Sequence, residues 1–142
     1  MKITEALKEK NKLAAKLQKL WGRLQSTNSI LEGSKRVYDP VELLKEIDAT
    51  TEEIVTLKTN IHSASSPVRS KIFRMSELKN YVTKLKTVST KDGLIRDRYE
   101  SSILTMVAVF KENEVDALLE KMENEIEQLQ KELDSFNHHT SI

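Results

Sequence analysis

The sequence predicts an all-α protein: a long antiparallel helical hairpin of coiled-coil character, a shorter third helix, a short β-like segment and a long C-terminal helix. Three observations carry that expectation. Apolar residues recur at alternating steps of three and four over many turns, which is the period of a helix face turned toward a partner helix. Breaker clusters separate those runs at intervals too short for large loops. One run of eight residues, 103–110, departs from the helical period and places β-prone, apolar side chains on both faces.

The first helix is expected over residues 4–32. Its seam reads Ile3, Ala6, Lys10, Leu13, Leu17, Leu20, Leu24, Thr27 and Leu31, with Lys10 and Thr27 as the polar exceptions. Gly33 suits the left-handed residue that commonly ends a helix. At ~1.5 Å per residue such a helix reaches roughly 43 Å, longer than a compact domain of this mass requires. Gly22, next to Trp21, invites a close approach by another backbone.

The second helix, 40–62, has a strong start signal. Asp39 can cap it, Pro40 fits the first helical position where no N–H is needed, and Glu42 stands where a capping-box acid reaches back. Leu43, Ile47, Thr50, Ile54, Leu57 and Ile61 form its seam before the breaker run of residues 63–67. About seven residues link the first two helices, and a link that short makes antiparallel neighbours.

A third helix is expected over 76–90, capped by Ser76, with Leu78, Tyr81, Val82, Leu85 and Val88 inward and Lys91, Asp92 and Gly93 ending it. The preceding stretch, 68–75, reads either as an earlier helical start at Ser66 and Pro67 or as an extended arm. Residues 103–110 read as extended. Asn113 then caps a last helix over 114–136, whose seam of Val115, Leu119, Met122, Ile126, Leu129, Leu133 and Phe136 is apolar at every position.

With 32% charged and 38% hydrophobic residues in 142, the chain is thin on core for a compact globule. Residues 1–142 are therefore expected to form a single elongated helical domain, with oligomerisation supplying further burial. Charge alternates along the chain: seven basic residues against two acids over 1–29, four against seven over 30–60, nine against three over 68–98, and three against ten over 99–142. Neighbouring helices of opposite sign attract and wrong pairings are disfavoured.

Several classes of chemistry have no footing in the residues. The absence of cysteine excludes disulfides, thiolate metal sites and a cysteine nucleophile. His138 and His139 are adjacent, a spacing that does not suit two ligands on one helix face, so a solvated tail is expected. His62 reads as a helix-end residue. Glu120, Glu123 and Glu127 share a helix face but lack the Glu-x-x-His pairs of a di-iron bundle. No nucleophile elbow or phosphate-cradling loop occurs. The expectation is no enzymatic activity, no cofactor and no small-molecule substrate. The N-terminal segment lacks an apolar core of signal-peptide type and no apolar run approaches the roughly 20 residues of a membrane helix, so the expected address is the cytoplasm.

Glu32-Gly33, Asp39-Pro40 with Leu43-Leu44, Glu46 and Asp48, and then Arg98-Tyr99, Ser102 and Ile103 leading into the last helix resemble a family of small, uncharacterised prokaryotic helical proteins sometimes called septicolysin. The resemblance spans most of residues 13–62 and 98–136. It departs in mid-chain, where the family pattern has an Arg-Asp pair and this chain reads Tyr81, Val82, Thr83, Lys84. The resemblance implies a helical homo-oligomer, a hexamer, with no established activity and no catalytic residues.

Three functional readings follow. The first is a homo-oligomeric structural or interaction protein assembled through Ile103, Met106, Val107, Val109 and Phe110, because an apolar β segment left open invites association. The second is nucleic-acid binding through a basic patch over residues 69–86, with Arg69, Lys71, Arg74, Lys79, Lys84 and Lys86 contacting phosphates and Phe73 and Tyr81 stacking on bases. The third, membrane activity, rests on residues 103–110 alone.

Overall fold

The computed structural model describes residues 1–96 and 103–142. The elements run α1 (Ile3–Thr27), α2 (Pro40–Ala64), a 3₁₀ turn (Ser66–Val68), α3 (Arg69–Leu85), β1 (Gly93–Arg96), β2 (Ile103–Met106) and α4 (Glu112–His139). The chain is all-α with one small antiparallel sheet, β1-β2. It forms two compact units: Met1–Pro67 with Asp134–Ile142, and Val68–Leu133. Among the described residues no helix is long and apolar enough to cross a membrane.

In the first unit α1 and α2 pack antiparallel. Leu20 meets Leu43 and Ile47, and Leu17 and Leu24 pack on the same cluster. Ile3, Ala6, Leu13, Leu20 and Thr27 are buried on α1 and Leu43, Ile47, Thr50 and Ile54 on α2, so both heptad-spaced seams lie inward as their spacing requires. Each fully buried Leu or Ile contributes about 1.5–3 kcal/mol relative to exposure. Thr27 satisfies its hydroxyl by donating to the Arg23 carbonyl at 2.6 Å. Asp39 caps α2, its Oδ1 accepting from the Val41 N–H at 3.0 Å, with Pro40 following in the first position. The ends of the chain close this unit. Ile3 N donates to the Thr140 carbonyl at 2.9 Å and Ile142 N to the Met1 carbonyl at 3.0 Å, while Lys2 Nζ reaches the His139 carbonyl at 3.2 Å. That ammonium meets the negative end of the α4 dipole.

In the second unit α3 and α4 run antiparallel, joined by Lys71 to Glu132 at 3.1 Å, Arg74 to Glu125 at 2.7 Å and Lys86 to Glu123 at 3.3 Å. Leu78 and Val82 of α3 and Val115, Leu129 and Leu133 of α4 are buried.

Several boundaries differ from expectation for local reasons. The first helix stops at Thr27 instead of 32, because Arg36 folds back to donate from Nε to the Thr27 carbonyl and from its Nη2 to the Asn28 carbonyl, both at 3.1 Å. This cation caps the helix end and leaves Leu31 exposed, outside the seam it was assigned to. Gly33 does take a left-handed conformation, φ 85°, but in a turn closed by Ser34 N and the Leu31 carbonyl. The link between α1 and α2 is correspondingly longer than seven residues. Arg23 lies over the Tyr38 ring within it, 4.8 Å from the centroid. A Cβ on Gly22 would meet nothing within 4 Å, so no backbone approaches there. Glu42 does not close a capping box and pairs instead with Lys45 at 3.3 Å.

The third helix starts at Arg69 instead of 76, through the 3₁₀ turn at Ser66, and Ser76 lies inside it. It ends at Leu85 instead of 90, where Thr87 folds its hydroxyl onto the Lys84 carbonyl at 2.6 Å. Tyr81 and Val88 are exposed, not inward. The last helix exceeds 114–136 at both ends. The Lys111 carbonyl accepts from Val115 N, placing Asn113 within the helix, and His138 and His139, exposed as expected, form its last turn. Thr4 Oγ1 lies 3.4 Å from His138 Nδ1, and His139 Nδ1 lies 2.7 Å from the Ser135 carbonyl.

Candidate assembly surface

The extended segment expected at 103–110 is a strand only over Ile103–Met106, and its partner, β1, has no counterpart in the sequence expectation. The register pairs Gly93 with Met106, Leu94 with Thr105, Ile95 with Leu104 and Arg96 with Ile103. Gly93 opens β1 at φ 92°, a conformation that favours glycine. Asp92 anchors the base of this ribbon: its Oδ1 accepts from the Ala108 N–H at 2.9 Å and its Oδ2 from Lys111 Nζ at 2.8 Å. The Lys111 ammonium, the Ala108 amide and the Lys111 charge together hold the Asp92 carboxyl below the ordinary carboxylate range, against a smaller opposing effect of desolvation.

The ribbon and the stretch that follows it to Phe110 expose apolar side chains. Ile103 is 67% exposed, Met106 42%, Val107 82%, Val109 84% and Phe110 57%. All five residues expected at an interface are therefore at the surface and close together in the chain. Leu94 at 76% and Leu104 at 48% join them, and the sequence reading missed Leu94 because only two apolar residues separate Gly93 from Arg96. A two-stranded ribbon is marginally stable in water at best, and both outer edges of this one lack a neighbouring strand within the described chain. From Ile103 to Phe110 no charged or proline residue interrupts the sequence, so the usual devices that blunt an open edge are missing.

The basic patch is dispersed by its ion pairs. Lys71, Arg74 and Lys86 are each bonded to an α4 carboxylate. Hydrogen bonds from Arg74 and Lys71 draw Glu125 and Glu132 below their ordinary pKa, with Gln128 assisting at Glu132. Lys79 and Lys84 make no ion pair among the described residues, and Phe73 and Tyr81 are exposed. Arg69 lies at the first position of α3. Among the described residues no group of three His, Cys, Asp or Glu side chains is placed to hold a metal ion. Arg98, Tyr99 and Ser102, which contribute to the family resemblance, lie outside the described residues.

A helical protein with a heptad-spaced α-hairpin and an exposed β-ribbon is the class that this fold and surface define. The chain belongs to a family of unknown function, DUF6847, whose model matches residues 10–142. Its structure is similar to the crystal structure of a functionally unknown conserved protein from Corynebacterium diphtheriae, with a TM-score of 0.69 and 19% identity over 96% of this chain and 95% of that one. At that identity the likeness is one of fold alone. No curated protein matches the chain.

Proposed function

We propose that the protein is a homo-oligomeric structural or interaction module, non-enzymatic and cytoplasmic, whose copies assemble through the β1-β2 ribbon. The observation that carries this reading is the exposure of Leu94 and Ile103 on a ribbon with open edges, and of Val107, Val109 and Phe110 in the stretch that follows it. A patch of this kind is uncommon on a protein that stays alone in solution. A second copy is the natural cover, since it brings an equally apolar, uncharged segment. The hexamer implied by the septicolysin-type resemblance gives the expected copy number, and the coiled-coil character of the α1-α2 seams suits a stiff spacer on each subunit. The membrane activity suggested by that resemblance draws support from residues 103–110 alone.

Nucleic-acid binding is the weaker reading because three of its six cations already neutralise carboxylates on α4. The test is a pair of measurements on the same preparation. Val107→Asp should lower the native mass or make the protein insoluble, and a labelled single-stranded oligonucleotide should show no saturable anisotropy change at micromolar protein. Unchanged mass in the variant together with salt-sensitive oligonucleotide binding would reverse the order of the two readings.

A further inference from the structure

We infer that the α1-α2 hairpin docks face to face on the hairpin of a second copy, across a two-fold axis perpendicular to the helices at the level of Glu53 and Lys12. Lys58 of each copy then meets Asp48 of the other. This surface is separate from the ribbon, and the inference stands without it.

Two helices packed side by side leave two outer faces, and those of this hairpin differ. Ile54 and Lys58 of α2 line one groove with Lys10, Ala14, Leu17 and Trp21 of α1. From Lys58 the same stripe of α2 runs back through Val55, Thr51, Asp48, Leu44 and Val41 at steps of three and four. The α1 stripe of Trp21, Leu17, Ala14, Lys10 and Leu7 has the same spacing. Every large apolar side chain exposed on α1 or α2, namely Trp21, Val41, Leu44 and Val55, belongs to this face. The opposite face, whose groove holds Glu9 and Glu53, exposes Lys12, Lys16, Lys19, Glu42 and Glu46 instead. Stripes of three-four spacing receive another helix, so the first face is shaped for helical partners.

The charges on that face select a second copy and its register. Asp48 and Lys58 are exposed and make no ion pair among the described residues. They lie symmetrically about Glu53, so an antiparallel copy of α2 sets each opposite its complement, twice over. A two-fold axis parallel to the helices would instead bring Lys10 and Lys58 of both copies to one level, since the two line the same groove, and four ammonium groups would meet. Registers that keep the three-four spacing move the perpendicular axis by about 3.5 residues. Either move puts Lys58 against Val41 or Val55 and leaves Asp48 without a cation, and an unpaired charge covered by an apolar partner is costly. With the axis at Glu53, Thr51 faces Val55 of the second copy. The α1 helices agree with this choice. Leu20 lies against Leu43 and Ile47, which puts Glu53 level with Lys12. An axis there sets Leu7 opposite Leu17 of the second copy and gives Lys10 the small Ala14 to lie against.

Lys58→Asp or Asp48→Lys alone should lower the native mass about twofold, because like charges then face each other twice, and the double exchange should restore it. Trp21 is the one tryptophan of the chain and reports whether the face is covered. Its quenching by acrylamide should be severalfold weaker in the unmodified protein than in Lys58→Asp, with the same far-ultraviolet circular dichroism for both. In Val107→Asp, a smaller assembly that keeps Trp21 protected supports a hairpin contact separate from the ribbon. An assembled protein whose mass ignores both single variants, or whose double exchange restores neither mass nor Trp21 protection, overturns the hairpin contact and leaves the ribbon reading standing. A monomeric unmodified chain overturns both.

Discussion

The Ala108 amide donates to Asp92 Oδ1 at 2.9 Å, and this one bond ties the chain leaving β2 to the residue preceding β1. With Lys111 on its other oxygen, Asp92 holds both the foot of the ribbon and the approach to α4. The ribbon has four pairs of residues and no described covering layer, so its base has unusual weight in keeping it formed.

Replacing that anchor should loosen the ribbon without unfolding the helices. Asp92→Ala is expected to speed amide exchange at Leu104, Met106 and Ala108 by tenfold or more, an effect of about 1.4 kcal/mol on local opening. Far-ultraviolet circular dichroism should stay within a few per cent of the unmodified chain. Unchanged exchange at those three amides would mean that the ribbon is held by something else.

The α1-α2 seam gives a graded series. Leu20→Ala, at a site 3% exposed, should cost about 2–5 kcal/mol; Leu24→Ala, half-buried at the edge of the same cluster, should cost less; Leu31→Ala should be neutral within about 0.5 kcal/mol. Chemical denaturation of the three variants checks the order. Equal costs at Leu20 and Leu31 would contradict the end of α1 at Thr27.

Arg36 tests the same boundary from the loop side. Arg36→Ala removes two hydrogen bonds to the last α1 carbonyls and should destabilise by about 1 kcal/mol, the low end for a charged donor because the group is near solvent. Arg36→Lys should recover only part of that, since one ammonium does not reproduce the planar fork. Full recovery would show that charge alone suffices.

Glu125 beside Arg74, Glu132 beside Lys71, and Asp92 beside Lys111 all have carboxyls held below their ordinary values of 4.5 for Glu and 3.8 for Asp. A carboxyl lowered in the folded state contributes stability above its unfolded value and loses it as pH falls through the folded value. The Val68–Leu133 unit should therefore weaken progressively below about pH 4.5, modestly, because these pairs are solvent-exposed and screened by salt. In Arg74→Met the acid-induced loss should be shallower than in the unmodified chain. Parallel melting curves across pH 3 to 7 for the two proteins would remove Arg74 from this account.

Helices were legible in the sequence where a seam repeats and a cap is local. Asp39-Pro40 marked the start of α2, and the α1 seam was right at the polar Thr27 as well as at Leu13, Leu17, Leu20 and Leu24, and failed at Leu31. The ends that sequence misplaced depend on contacts made from elsewhere. Arg36 stops α1 from nine residues away, and the termini pair with each other to extend α4 through His139. β1 was not legible because Leu94 and Ile95 are too few for a periodic signal, and it exists as a partner of β2. The candidate surface was legible as composition, eight uncharged β-prone residues, but its open edges became visible only with the two-stranded pairing of β1 and β2. The basic patch was legible as a cluster of cations, and its neutralisation by α4 depends on helix pairing that spacing alone does not give.

The most direct test of ribbon-driven assembly is the native mass of the unmodified chain by light scattering at micromolar concentration, at low and at high salt. The expected result is a mass several times 16.3 kDa, near six copies, that falls modestly at high salt while apolar contacts persist. A single species of 16.3 kDa at both salt concentrations would contradict it.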